Sequence, residues 1–332
     1  MTNSQDETNE VPSPVNFLSP LSHQEISELT SRSDASGLAQ TLFHGSFIGA
    51  ASWAVSVTTG WLHVCSFLFL AFVVSFLFCP LHECVHQTAF KSRLLNQILA
   101  SVTGFLTLRP SNHYWYYHWA HHKHTGNSEK DPELQNTMLD PDISTFSGYL
   151  IYLSSIPFWI DRIWTTFRHS FGKINDSEFY LQSDFSQLKV IREAKLYLFG
   201  YLFVGFCSYY FAFSSFLLTY WIFPSLIGQI HLRFYLLAEH KGCNFGSDIF
   251  GNTRTTMTLW LYRRLAWNMP LHAEHHAWPA VSFHCLPIVH SIVNSKLEKG
   301  TMKYCNPSGE FGYLSIHQTF LKRMMFHSKK VN

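Results

Sequence analysis

SFIGAASWAVSVTTGWLHVCSFLFLAFVVSFLFCPL, from Ser46 to Leu81, runs for 36 residues without one Asp, Glu, Lys or Arg. A second charge-free run, Leu196 to Leu232, covers 37 residues. One membrane-spanning helix takes about 20 apolar residues, so each run has the length of two spans joined by a tight turn. Gly60-Trp61-Leu62-His63 supplies a first turn and Phe213–Phe216 a second. The runs therefore read as two helical hairpins, 46–60 with 64–81 and 196–213 with 216–232. The expected fold is an all-α integral membrane protein with four transmembrane helices. Leu94–Leu108 and Phe146–Ile160 are too short or too interrupted to span and read as interfacial or re-entrant helices.

A hairpin returns the chain to the side it left. The N-terminal segment, residues 82–195 and residues 233–332 then share one face, and every charged residue lies in those pieces. Lys91, Arg93, Arg192, Lys195 and Arg233 flank the runs, and the positive-inside rule places that face, with both termini, in the cytosol. Residues 1–37, rich in Ser, Thr, Glu and Asn with Pro12 and Pro14, read as a disordered tail with a short helix near Gln24–Leu29. Residues 38–300 form the membrane domain and 301–332 a cytosolic C-terminal tail. The first forty residues lack the apolar stretch of a cleavable signal. Lys329-Lys330-Val331-Asn332 resembles a dilysine retrieval signal, which would place a eukaryotic protein in the endoplasmic reticulum.

Charged residues are only 14% of the chain, below the roughly 25% of an ordinary soluble domain. A net charge of +2 with no basic stripe argues against nucleic acid as a partner. The seven cysteines, at 65, 79, 84, 207, 243, 285 and 305, form no CxxC pair and read as reduced thiols rather than disulfides.

Twenty histidines nearly equal the 24 Lys and Arg together, and eight of them fall into three clusters. His82-Glu-Cys-Val-His86 follows the first run directly. His118-Trp-Ala-His121-His122 comes next, and His272-Ala-Glu-His275-His276 follows the second run. Residues at i, i+3 and i+4 share one helix face, so each cluster presents its imidazoles as one patch. Neutral imidazole suits iron, zinc or copper. Eight rings are too many for one ion, so two ions are expected.

At these residues the chain resembles the membrane fatty acid desaturase superfamily, whose histidine-box members include desaturases, hydroxylases and ketolases. The likeness covers roughly residues 45–295. It includes the order of the three boxes, Thr125-Gly-Asn with Asp131-Pro132-Glu133 after the second, and His272-Ala-Glu-His-His-Ala-Trp-Pro279 with Leu286-Pro287 around the third. The resemblance implies a cytosolic helical cap holding two iron ions, with dioxygen as co-substrate. It also implies a ninth ligand upstream of the third box, in the place of His240. Glu83 stands where Asp is commoner. No haem-binding domain is evident in the chain, so a separate electron donor, cytochrome b5-like or ferredoxin-like, is expected.

A metal-bound imidazole usually donates its other N–H to a carboxylate. Glu83, Asp131, Glu239 and Glu274 are candidates for that role, and Asn268 is a further one. Oxidising an unactivated C–H bond is beyond side-chain acid–base chemistry. The expected reaction is thus O2-dependent oxidation of a lipid-like substrate, foremost fatty-acyl desaturation. Hydroxylation or ketolation of a lipid, carotenoid or secondary metabolite is the alternative, and a membrane metal or haem carrier is the non-enzymatic one.

Overall fold

The computed structural model describes residues 21–136, 142–297 and 312–328. Helices account for all the regular structure among them. In chain order they are α1 (His23–Leu29), α2 (Asp34–Val57), α3 (Gly60–Ser75), α4 (Phe78–Val85), α5 (Arg93–Leu106) and α6 (Ser111–His124). There follow α7 (Pro132–Gln135), α8 (Phe146–Leu153), α9 (Ile156–Ser170), α10 (Asp184–Tyr210), α11 (Ser214–Leu217), a π-helical segment (Leu218–Ile222) and α12 (Phe223–His240). The series ends with α13 (Ile249–Asn252), α14 (Trp260–Leu265), α15 (His272–Ala277), α16 (Leu286–Leu297) and α17 (Gly312–Ser328).

The expected all-α character holds, but four spans in two hairpins do not. Among the described helices only Gly60–Val85, the run of α3 into α4, is long and apolar enough to cross a membrane. Freedom from charge is a weaker property than hydrophobicity, and that difference overturns the expectation. The supposed first span falls mostly in α2, which ends at Val57 and where Gly49, Ser52 and Ser56 dilute the apolar residues. The third is only the second half of α10, whose first half carries Asp184, Lys189, Arg192, Glu193 and Lys195. The fourth is divided among α11, the π segment and α12, with Pro224 in the first turn of α12. Proline lacks the N–H that would carry an α-helix through that point unbroken.

The short helix expected near Gln24–Leu29 is present as α1, and α17 lies in the segment expected as a C-terminal tail. α1 is closed by a capping box between Ser22 and Glu25, in which each side chain meets the other's backbone N–H. Asp34, at the start of α2, accepts a 2.7 Å hydrogen bond from the Ser92 backbone N–H. α17 is held by His317, which meets the Tyr149 hydroxyl at 2.9 Å and the Phe234 carbonyl at 2.8 Å. Pro12, Pro14 and Lys329-Lys330 lie outside the described residues.

Cys79, Cys84 and Cys285 are buried and free, and Cys65 and Cys207 are also free. Cys243, however, is disulfide-bonded, against the expectation of thiols throughout. Spacing along a chain does not say which cysteines folding brings together. Cys305 lies outside the described residues.

α3 is the axis of the packing, with α2 along one side and α12 along another. One large core joins Phe76, Leu81 and Cys84 of the α3–α4 run to Leu232 and Tyr235 of α12 and to Trp267, Leu271 and Phe283 around α15. Trp267, fully buried, donates its indole N–H to His44 at 3.3 Å, tying α2 to the same core. The outer faces stay apolar and exposed at Leu42, Trp53, Trp61 and Leu62, and again at Leu196, Phe199, Phe203 and Phe206. On α5, Leu94, Ile98 and Val102 are exposed and fall at four-residue spacing, which is one stripe of a helix.

The α3–α12 contact depends on Gly228. A Cβ at that position would stand 2.3 Å from the Ala71 carbonyl oxygen, with backbone on the other side that cannot step aside. Gly228→Ala should therefore lower stability by about 1–3 kcal/mol, the usual cost of overpacking. Thermal unfolding of the purified variant against wild type measures it.

Candidate metal centre

Four helices meet end-on at one buried point. α4 contributes His82, with His86 at its C-cap, one helical turn apart and with ring centroids 5.0 Å apart. α6 contributes His118, His121 and His122, α12 ends on His240, and the short α15 contributes His272, His275 and His276. The chain turns into α15 through Trp267 and Asn268, two consecutive residues with φ of 54° and 61°. Such left-handed conformations are uncommon away from glycine. Here they end α14 and aim the next helix at the other three.

The structure brings together all nine histidines expected from the sequence. Ring nitrogens of His82, His86, His118, His122 and His275 lie within 4.8 Å of one another, and those of His121, His240 and His276 do so as well. His272 joins the second group, its Nε2 standing 3.1 Å from Nε2 of both His240 and His276. In the first group, Nε2 of His122 is 3.0 Å from that of His118 and 3.1 Å from that of His275. The groups adjoin, because the His122 and His276 rings stack at 4.1 Å. The arrangement is that of a binuclear metal site.

The donor set fits metal ions better than it fits hydrogen bonding. Both ring nitrogens of His82 and of His86 lack a hydrogen-bond partner, as do the Nδ1 atoms of His118, His272 and His275. Unsatisfied buried polar atoms are rare and costly. His82 and His86 belong to the five-ring group, where a cation would take a lone pair from each, and at both foci it would take up the lone pairs of the Nε2 atoms that face one another at 3.0–3.1 Å. Burial, followed by the neighbouring imidazoles, pushes His86, His118, His122, His272, His275 and His276 well below their usual pKa. Burial and then His121 bring His240 down to about 3. The rings are thus neutral, the form that ligates a metal. His121 is the exception: burial opposes its charge, yet the carboxylates of Asp131 and Glu133 carry it up to about 9.

The carboxylates divide. Asp131 meets His121 Nδ1 at 2.9 Å, the arrangement expected for a ligand's supporting acid. Glu239 is 3.5 Å from His272 Nδ1 and Glu83 is 3.7 Å from His82 Nδ1, near but unbonded. Glu83 instead accepts from the Thr88 hydroxyl at 2.6 Å. Glu274 faces away from the cage, accepting from Thr255 and meeting His290 Nδ1 at 2.5 Å. Asn268 donates to the Phe283 carbonyl at 3.0 Å and serves the turn before α15 rather than any ligand. Glu274 lies inside the third box yet bonds toward α16, and Asn268 stands outside α15, in the turn before it.

Three supporting groups escaped the sequence reading. The Thr125 hydroxyl lies 3.2 Å from His276 Nδ1, the Asn252 carbonyl lies 3.2 Å from His240 Nδ1, and the Thr253 hydroxyl lies 3.4 Å from the same nitrogen. The Asn252 amide also donates to the carbonyls of Thr125 and Gly246, at 3.2 and 2.7 Å. Thr125 belongs to the Thr-Gly-Asn run after the second box and was legible as part of it. A backbone carbonyl such as that of Asn252 leaves no trace in a sequence.

A third buried group stands apart from the cage. Glu178 meets His169 at 2.7 Å, His113 at 3.4 Å and the Arg168 guanidinium at 2.6 Å. Burial outweighs the pull of Glu178 and brings His113 down to about 4. The guanidinium already neutralises the carboxylate, which marks this group as a structural ion network.

The fatty acid desaturase family model matches residues 59–307, a span that contains all nine histidines. No curated protein matches the chain.

Asp131→Asn should leave the fold intact and lower metal affinity by roughly 10- to 100-fold, the usual effect of losing a ligand's hydrogen-bonded acid. Metal content after dialysis against graded chelator reads this directly.

Proposed function

The chain belongs to the fatty acid desaturase family, and from that premise we propose that it oxidises an unactivated C–H bond of a lipid-like substrate, with two iron ions as cofactor and dioxygen as co-substrate. A metal-dependent oxidative role follows from the family together with the histidine cage. Iron, dioxygen and desaturation of an aliphatic chain are the finer reading. The observation that carries it is the convergence of nine imidazoles, seven buried and His122 and His240 half-buried, on two adjoining foci. Such a ligand set, all imidazole and nearly free of carboxylate, suits transition metals rather than magnesium or calcium. Bound iron supplies the oxidising power that side chains lack.

The chain's own residues supply position and exclusion of water. A cavity of about 280 Å³ opens on the cage, with His82, His118, His121, His240 and His272 in its wall and Phe78, Tyr114, Tyr117 and Met269 beside them. Tyr114 stacks on His118 with centroids 5.1 Å apart, so an aliphatic chain in the cavity lies against the ligands themselves. Asp131 holds the Nδ1 proton of His121 and so directs its Nε2 inward. Holding a substrate carbon in one place against the oxidising centre is what separates loss of a second hydrogen from hydroxylation.

We assign the reducing equivalents to a separate cytochrome b5-like or ferredoxin-like donor. The protein is further proposed to be membrane-bound, anchored by the Gly60–Val85 helix and the exposed apolar faces of α2, α5 and α10. Both termini would lie with the cage on the cytosolic side, at the endoplasmic reticulum in a eukaryote. Support comes from Leu29 of α1 and Ile316 and Phe320 of α17, which share the core that carries the cage.

Protein purified from iron-supplemented cells should hold about two irons per chain, one for each group of imidazoles. Zinc alone, or haem absorbance, would overturn the assignment. His121→Ala and His275→Ala should each abolish product while leaving the protein folded. Turnover retained in either variant would remove that ring from the centre.

A further inference from the structure

The cavity beside the cage has a second chemical character at its other wall. Arg109 and Arg233 both line it, yet only 5% and 7% of their surfaces are accessible. Their guanidinium carbons stand 4.3 and 4.5 Å from the centroid of one ring, Phe158. Arg109 also rests on Phe78 at 4.9 Å and Arg233 on Tyr152 at 5.4 Å. Neither arginine has a carboxylate within ion-pair distance among the described residues. Arg109 donates only to the neutral Gln229 side chain, at 3.3 Å, and the Nε of Arg233 has no partner. Arg162, the third arginine of this wall, is by contrast paired with Asp161.

Two neighbouring guanidiniums, buried and unpaired, repel each other and have lost most of their water. Aromatic faces compensate only in part. An evolved fold keeps such a pair when a bound anion completes it, and the planar fork of arginine matches a carboxylate. Distance to the cage is short, because a single ring intervenes. Phe78 carries Arg109 on one side and lies 5.9 Å, centroid to centroid, from His82. Size is limited as well. At about 280 Å³ the cavity is at the small end of ligand pockets, which run from roughly 300 to 1,000 Å³. Residues 242–245 also line it.

We propose that Arg109 and Arg233 are a receptor for a free carboxylate, so that the substrate is a compact aliphatic carboxylic acid taken up as the anion rather than as an ester or thioester. This rests on the proposed oxidation and defines its substrate class. An ester or thioester carbonyl is neutral and leaves both guanidiniums uncompensated. A free carboxylate satisfies both and places the chain carbons along Phe78, toward the histidine wall.

Direct binding to the iron-loaded full-length protein tests this without turnover, by titration calorimetry with octanoate, methyl octanoate, octanoyl-CoA and octyl phosphate. Octanoate should bind at least about tenfold more tightly than its methyl ester, and Arg109→Gln and Arg233→Gln should each erase about tenfold or more of that preference. Affinity for methyl octanoate should stay unchanged in both variants, and Arg→Lys at either position should restore part of the preference. Iron content and thermal midpoint check that each variant is folded, and the ligand comparison on wild type stands without them. Equal or tighter binding of the methyl ester or the CoA thioester overturns the proposal, as does an unchanged octanoate affinity in both Gln variants. Tighter binding of octyl phosphate than octanoate overturns the choice of carboxylate. A protein that binds octanoate as expected but oxidises nothing would defeat the reaction and leave the receptor standing. One that oxidises the thioester while refusing octanoate would do the reverse.

Discussion

Nine imidazole nitrogens crowded into a buried space repel one another through their lone pairs unless a cation sits among them. This one constraint organises the molecule. Rings from α4, α6, α12 and α15 meet although their helices are far apart in sequence, and burial favours the neutral, ligating form of rings such as His118 and His275, with His121 the exception. The large core around Phe76, Tyr235, Trp267 and Phe283 holds those four helix ends in register. Folding and metal binding are therefore linked, as the free energy of filling such a site is available only to the folded chain.

The supporting atoms show how the cage is shared between side chains and backbone. Asp131 holds His121 through a carboxylate, Thr125 meets His276 through a hydroxyl, and Asn252 meets His240 through its main chain. Only the first is charged, and it alone keeps its partner's pKa high. The two foci thus differ in electrostatic setting although their ligands are the same residue type. His121, beside a carboxylate, belongs to the smaller group, whereas the five-ring group has no hydrogen-bonded acid among the described residues.

The cage was legible in the sequence because its spacing obeys the helix period. HxxxH and HxxHH put rings on one face whatever surrounds them, and His240 followed from the resemblance. The supporting residues were less so. Asp131 meets the His121 ring directly, whereas Glu274 bonds to His290 and Asn268 to the Phe283 carbonyl. The span count failed for a different reason. Absence of charge in 46–81 and 196–232 conceals Gly, Ser, Thr and a proline, whose effect on helix length and hydropathy appears only where helices actually start and stop. Nor did any periodicity announce the wall opposite the cage, since Arg109, Phe158 and Arg233 come from three separate segments.

Asn252 has one hand on each of two things. Its side chain grips Gly246 and Thr125, whose hydroxyl touches one ligand ring, while its carbonyl touches another. A change at this one residue would therefore be felt in the seats of His240 and His276 at once.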